Sequence, residues 1–153
     1  MPQYALTTAE TVAEARRALE EERAFLASQG IRGTLSLTGG SSLEGLVTKG
    51  DIDLHLRVGS PDFAPAQARL VPRYQPAHPE IWTDSFAAFE RGTEPPIGLA
   101  LTIVGSEHDR RFVRSWERMA TDAAARAAYN DLKRRGGDVE SAKSAFFDSL
   151  AGS

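Results

Sequence analysis

Leu37-Thr38-Gly39-Gly40-Ser41-Ser42-Leu43-Glu44-Gly45-Leu46-Val47-Thr48-Lys49-Gly50-Asp51-Ile52-Asp53-Leu54-His55-Leu56 holds the dense cluster of special residues in the chain. A glycine-serine turn follows a short apolar strand, and a second strand then carries aspartates at i and i+2. Side chains alternate along a strand, so Asp51, Asp53 and His55 share one face while Ile52, Leu54, Leu56 and Val58 share the other. A polar, acidic face backed by an apolar one predicts a sheet with a core beneath and a site above.

On the N-terminal side, Thr7 or Thr8 can cap a helix, with Glu10 and Glu14 near its positive end. Val12, Ala15, Leu19 and Leu26, with Phe25 alongside, form its apolar stripe, and Gly30 is a natural stop. Ile31 to Thr38 reads as a strand. On the other side, Ser60-Pro61-Asp62 starts a helix that buries Phe63, Ala66 and Leu70 and closes at Pro72. Pro72, Pro76 and Pro79 predict irregular loop around His78. Trp82 to Phe89 looks extended, with Thr83, Ser85, Ala87 and Phe89 on one side and Asp84, Phe86, Ala88 and Glu90 on the other. Residues 91–96 make a turn or loop, and Ile97 to Val104 reads as a central or half-covered strand, apolar on nearly every residue.

After Gly105-Ser106 the pattern is helical. His108 to Met119 is expected to bury Phe112, Val113 and Trp116 and to line Arg110, Arg114 and Arg118 along one face. Asp122 caps a helix carrying Ala124, Ala128, Tyr129 and Leu132, and Gly136-Gly137 breaks it. A last helix runs from about Val139 to Leu150, with Ala142, Phe146, Phe147 and Leu150 inward. Strands in the middle and helices at both ends predict an α+β fold, with a mixed sheet of about four strands. All 153 residues are expected to form one domain.

Composition excludes several classes. There are no cysteines, hence no disulfide framework, thiolate zinc site or cysteine nucleophile. No apolar run reaches the roughly 20 residues that span a bilayer, and no secretory leader is legible, so the cytoplasm is the expected location. A net charge of −3 carries no strong nucleic-acid signal. Charge is nonetheless uneven. Residues 109–135 hold eight bases against four acids, which reads either as a phosphate-attracting surface or as a solvated helix face.

Asp51 and Asp53 are the candidate catalytic and metal-binding residues. Two carboxylates side by side repel, and a divalent cation relieves that repulsion. Ligation by oxygen alone favours magnesium or manganese over zinc. Gly39 and Gly40 let backbone N–H groups approach phosphate oxygens, Ser41 or Ser42 adds a hydroxyl, and Lys49 adds positive charge. Together these form the minimal kit for moving a nucleotidyl group from a nucleoside triphosphate, with Mg²⁺ as cofactor. Each also has a plainer reading: a solvated strand face, a tight turn with positive φ, a solvated lysine. His55 is a ligand, a base or an ion-pair partner of the acids.

The order of strand, Gly-Gly, the intervening residues 41–50 and then Asp51-Ile52-Asp53 resembles the DNA polymerase beta-like nucleotidyltransferase superfamily. More narrowly, Gly39 to Leu46 followed by Lys49-Gly50-Asp51-Ile52-Asp53-Leu54 resembles the GSTxxPGL…K…DID region of the GrpB family. Thr83 to Phe89, Phe112-Val113-Arg114-Ser115-Trp116-Glu117-Arg118, Tyr129-Asn130-Asp131-Leu132-Lys133 and Ala142-Lys143-Ser144-Ala145-Phe146-Phe147 continue the likeness in order. The resemblance implies a nucleotidyltransferase fold, a nucleoside triphosphate as partner and an unknown acceptor. The chain departs from the pattern at Gly40, where the family has serine, at Glu44, where it has proline, and at Ser115, where it has an acid. Active members of the superfamily carry a third carboxylate on a neighbouring strand. Ile97 to Val104 has none, which leaves Asp84 or Glu90 to stand in.

Overall fold

Thr8 separates a short first strand, β1 (Ala5–Leu6), from helix α1 (Ala9–Ser28), and its hydroxyl accepts a hydrogen bond from the Thr11 amide. The computed structural model describes residues 4–135 and 145–150. α1 stops at Gly30, whose φ of +67° is the left-handed conformation common after a helix. Its buried side is Ala15, Leu19, Glu22 and Leu26, so the predicted stripe contains a carboxylate. Arg73 donates to both Glu22 oxygens at 2.9 and 2.8 Å, Arg91 donates to Oε2 at 3.0 Å, and the Tyr74 hydroxyl donates to Oε1. Burial works against the ionised Glu22, but the bonds from Arg73 and Tyr74 outweigh it and hold the carboxyl below its ordinary range. The Tyr74 hydroxyl is pushed up, by burial first and by Glu22 second.

The remaining elements are β2 (Thr34–Thr38), β3 (Val47–Thr48), β4 (Ile52–Val58), α2 (Phe63–Leu70), β5 (Gln75–Pro76), β6 (Phe86–Arg91), β7 (Ile97–Ile103), α3 (Glu107–Thr121) and α4 (Ala123–Arg135). Five strands form a sheet in the order β2-β4-β7-β6-β5, and β1 pairs separately with β3. β4 and β7 run parallel while the other neighbours are antiparallel, so the sheet is mixed, as expected. Its fifth strand is the two-residue β5, in the proline-rich stretch read as loop. β6 begins at Phe86 rather than Trp82, because a tight turn carries the Thr83 amide back onto the Phe86 carbonyl at 2.9 Å.

Ile52, Leu54, Leu56 and Val58 are all buried and face α1 and α2, where Ala15, Leu19, Phe63, Ala66 and Leu70 complete the main core. Burying each large aliphatic side chain contributes about 1.5–3 kcal/mol. A one-residue slip in register would turn all four to the wrong face, so this alternation fixes how β4 lies in the sheet.

α3 covers part of the opposite face. It buries Asp109, Ser115 and Met119, while Phe112, Val113 and Trp116 are half-buried. The expected apolar set is thus displaced around the helix, because polar partners wait beneath Asp109 and Ser115. α4 shows a one-residue slip, with Ala125 and Tyr129 inward and Ala124 and Ala128 exposed. Asp122 caps it as predicted, accepting from the amides of Ala124 and Ala125 at 2.9 and 3.3 Å. Arg118 pairs with Asp122 at 3.0 Å. Residues 145–150 are helical and rest on α3, where Ser115 Oγ donates to the Phe147 carbonyl at 3.2 Å. The Gly136-Gly137 break and the first part of the expected last helix lie outside the described residues. Leu46, Met119, Ala125, Tyr129 and Leu150 make a second, smaller core. Among the described residues no helix is long and apolar enough to cross a membrane.

Candidate functional site

The loop between β2 and β4 is fastened from both sides. Within it, Ser42 Oγ donates to the Gly39 carbonyl at 2.6 Å, and Ser41 Oγ donates to the Asp51 carbonyl at 2.7 Å. Ser41 is only 1% exposed, so its hydroxyl ties the turn to the start of β4 instead of standing at the surface. At the back of the loop, the Thr7 amide donates to Leu46 O at 2.8 Å and the Gly45 amide to Thr7 O at 2.9 Å. The Asn130 side chain accepts from the Val47 amide and donates to Gly45 O, both at 2.8 Å. Leu46, fully buried in the second core, pins the same segment.

The two glycines of the turn have different reasons to be glycine. Gly39 has φ +78°, and an ideal β-carbon on it would lie 2.2 Å from Asp53 Oδ2. Gly40 instead faces the scaffold, where a β-carbon would meet the Val47 carbonyl oxygen at 2.8 Å. Asp51 lies immediately before β4 and Asp53 within it, both half-buried, while Lys49 is exposed on the loop ahead of them. The structure therefore brings Gly39 against Asp53 and Ser41 against the Asp51 backbone. Gly40 turns toward the scaffold and away from the acids.

Strand register decides what can join the acids, because directly paired residues share a face. Thr38, Asp53, Gly98, Glu90 and Gln75 form one row across all five strands. β7, beside β4, contributes Gly98 next to Asp53 and Ala100 next to His55, and no acid. A β-carbon on Gly98 would stand 3.2 Å from Asp53 Oδ1, so the carboxylate is flanked by glycine on both sides. Glu90 lies in the Asp53 row, exposed and one strand beyond Gly98. Asp84 sits in the turn before Phe86, at the far end of β6. Among the described residues no group of three histidine, cysteine or acidic side chains is placed to hold a metal ion.

On the polar face of β4, Asp53 and Arg57 are part-exposed while His55 between them is buried. His55 is 2% exposed, under α3, with Nε2 2.8 Å from Thr102 Oγ1 and its ring 5.0 Å from that of Phe112. Burial above all holds its pKa down at about 4, so His55 is neutral and its 3.7 Å approach to Asp109 is not an ion pair. Asp109 has its own partners: Arg57 donates to both of its oxygens at 2.6 and 2.9 Å, Thr102 Oγ1 to Oδ1 at 3.0 Å, and the Gly105 amide to Oδ2 at 2.8 Å. Burial alone would raise the Asp109 carboxyl, but these bonds, led by Arg57, hold it at about 2. This cluster docks α3, with His55 and Asp109 buried and Arg57 part-exposed at its rim. The sequence carried one signal for it, the Ser106-x-x-Asp109 spacing of a helix start, where Ser106 Oγ accepts from the Asp109 amide at 3.4 Å. His78 is exposed, and His108 stacks on Phe86 at 4.4 Å.

A crystal structure of the conserved protein GrpB from Enterococcus faecalis superposes on this chain with a TM-score of 0.77. The match covers 98% of this chain and 95% of that one at 12% identity. This chain shares the fold of GrpB. Crystal structures of the Cid1 poly(U) polymerase match more distantly. With MgGTP bound the TM-score is 0.54, over 79% of this chain and 41% of that one at 12% identity. With Mg 3'-dATP bound it is also 0.54, over 79% and 40%. The GrpB-like fold is thus nucleotidyltransferase-like, as the order of turn and acid-x-acid strand implied. No family model matches the chain, and no curated protein does.

Proposed function

We propose that this GrpB-like chain binds a nucleoside triphosphate at the Gly39 turn and transfers a nucleotidyl group from it to an acceptor. The observation that carries the reading is the packing of Asp53 Oδ2 against Gly39, which places a carboxylate at the glycine turn with no side chain between them. Asp51 and Asp53 would hold Mg²⁺. Both are half-buried hard oxygen donors, and Asp53 lies between two glycines, which suits a divalent cation that keeps several of its waters. When bound, the ion neutralises charge on the triphosphate. Gly39, Gly40 and Ser41 would set the backbone that meets the phosphates, and Lys49, exposed nearby in sequence, would add positive charge. Calorimetry with Mg²⁺ and each nucleoside triphosphate tests this, with Asp51→Asn and Asp53→Asn each expected to abolish Mg²⁺-dependent binding. Unchanged affinity in both variants would sink the proposal.

A second reading is favoured by one specific observation: β7 presents Gly98 and Ala100 where a third acid would stand. On that reading the chain binds a nucleotide or a protein partner without catalysing transfer. Incubation with a labelled nucleoside triphosphate and candidate acceptors separates the two. Release of pyrophosphate coupled to labelling of an acceptor excludes the binding-only reading.

A further inference from the structure

β2 is the terminal strand of the five-stranded sheet, and among the described residues a cavity of about 330 Å³ runs along its outer edge. Its floor is Leu35, Ser36 and Leu37 of β2. Arg16, Leu19 and Arg23 of α1 form one wall, and Trp116 and Ala120 of α3 form the other. Ser42 and Leu43 also line it, on the loop that follows β2. The groove therefore straddles the strand edge, with a helix on each side of the sheet.

Two hydrogen bonds fix which backbone groups face this groove. The Ile52 amide donates to Pro96 O at 2.9 Å, on the β7 side, and the Val104 amide donates to Val58 O at 2.9 Å, also on that side. Alternation along β4 then turns the backbone of Asp53, His55 and Arg57 toward β2, so their partners Thr38, Ser36 and Thr34 face inward. Leu35 and Leu37 consequently point their N–H and C=O groups into the groove. Arg23 confirms the direction independently, since its Nη2 donates to the Leu35 carbonyl at 3.0 Å across that edge. The Leu35 amide and both backbone groups of Leu37 point outward from the sheet, where a further strand would pair with them.

The walls select what that strand carries. Arg16 and Arg23 are seven residues apart on α1, about 10.5 Å along the helix. Arg23 is engaged with Glu20 and Leu35, whereas Arg16 is exposed, so the wall has a net positive charge against a floor of Leu35, Ser36 and Leu37 and a far wall of Trp116 and Ala120. Alternating side chains of an added strand would point in turn to the arginine wall and to Trp116. A second copy of this chain pairing β2 to β2 would set arginine against arginine, which disfavours self-association here. We infer that the β2 edge is a docking groove for an extended, acidic segment of a partner protein, bound by strand addition with an acid facing Arg16. This inference is independent of the nucleotide reading.

Selection from a library of random short peptides against the full chain tests it, followed by amide hydrogen exchange on the best binder. Enriched peptides are expected to carry acids at alternating positions, and binding should slow exchange at Leu37 by about tenfold or more. Arg16→Glu should weaken binding by about tenfold or more, while Arg17→Glu, an equal charge change outside the groove, should not. The inference is overturned if no peptide is enriched, if the two variants behave alike, or if Leu37 is not protected. It is also overturned if oligouridylate displaces the peptides, which would assign the groove to nucleic acid. Protection of Leu37 that rises with protein concentration alone would assign the groove to a second copy.

Discussion

The Asp53 carboxylate occupies the space that a side chain on Gly39 would need: an ideal β-carbon there would lie 2.2 Å from Asp53 Oδ2 and 2.8 Å from Asp53 Cβ. Gly39 also has φ +78°, which costs an L-residue about 1–2 kcal/mol. Gly39→Ala combines backbone strain with this overlap, and together they should cost roughly 2–4 kcal/mol. Urea unfolding measures the loss. Gly92→Ala, where a β-carbon would meet nothing within 4 Å, should stay near the parent value. Equal stability of the two variants would show that Gly39 is not constrained by Asp53.

Gly98 is where β7 passes closest to the acids, its β-carbon position 3.2 Å from Asp53 Oδ1. Gly98→Asp would place a third carboxylate beside Asp53. Without metal the variant should be less stable than the parent chain, because like charges crowd together. With saturating Mg²⁺ it should gain at least about 1 kcal/mol more than the parent does. Thermal unfolding with and without Mg²⁺ reads this directly. An identical response of both chains to Mg²⁺ would remove the acids from any metal site.

Asn130 brackets the loop by bonding the Val47 amide and the Gly45 carbonyl. Asn130→Ala leaves the buried Val47 amide unpaired, at a cost of about 1–2 kcal/mol. Asn130→Asp keeps the acceptor and should lose less. Exchange of the Val47 amide should quicken in the order parent, Asp, Ala, and a rate unaffected by either change would place the loop's support elsewhere.

Glu22 gathers Arg73, Tyr74 and Arg91 inside the main core. Glu22→Ala strands all three, and removing one partner of such a buried cluster costs about 3–5 kcal/mol. For a chain of this length that corresponds to a fall in Tm of roughly 6–20 °C by calorimetry. A fall of no more than about 2 °C would mean that solvent already satisfies the arginines.

Asp109 predicts an acid limit to stability. Its folded pKa of about 2 lies below its ordinary 3.8, so between these values the unfolded chain binds the proton and the folded chain does not. Its contribution is thus present above pH 3.8 and is lost as pH falls toward 2. By linkage this amounts to about 2 kcal/mol. Urea midpoints across that range should fall less steeply in Asp109→Asn than in the parent chain, and parallel slopes would contradict the assignment.

Much of this is legible in the sequence. The alternation of Ile52, Leu54, Leu56 and Val58 set the core face of β4, because a period of two admits only one buried side. Cap and stop residues marked α1 and α4, through Thr8, Gly30 and Asp122, since those side chains and that φ act locally. The family resemblance carried by Gly39-Gly40, Asp51 and Asp53 implied the fold that the GrpB likeness bears out.

What sequence could not supply is every relationship that depends on which strands are neighbours. The parallel pairing of β4 with β7 put Gly98 beside Asp53 and Glu90 in the same row, and no local pattern encodes that register. The packing of α3 decided that His55, on the acid face by alternation, is buried and neutral while Asp53 stays at the open end. The sequence offers Ser41 or Ser42 as a hydroxyl for phosphate, but the fold directs the Ser41 hydroxyl to the Asp51 carbonyl and the Ser42 hydroxyl to the Gly39 carbonyl. Local periodicity and turn chemistry are written residue by residue and so survive in the sequence. The long-range contacts that close a face or leave an edge open exist only once the chain has folded.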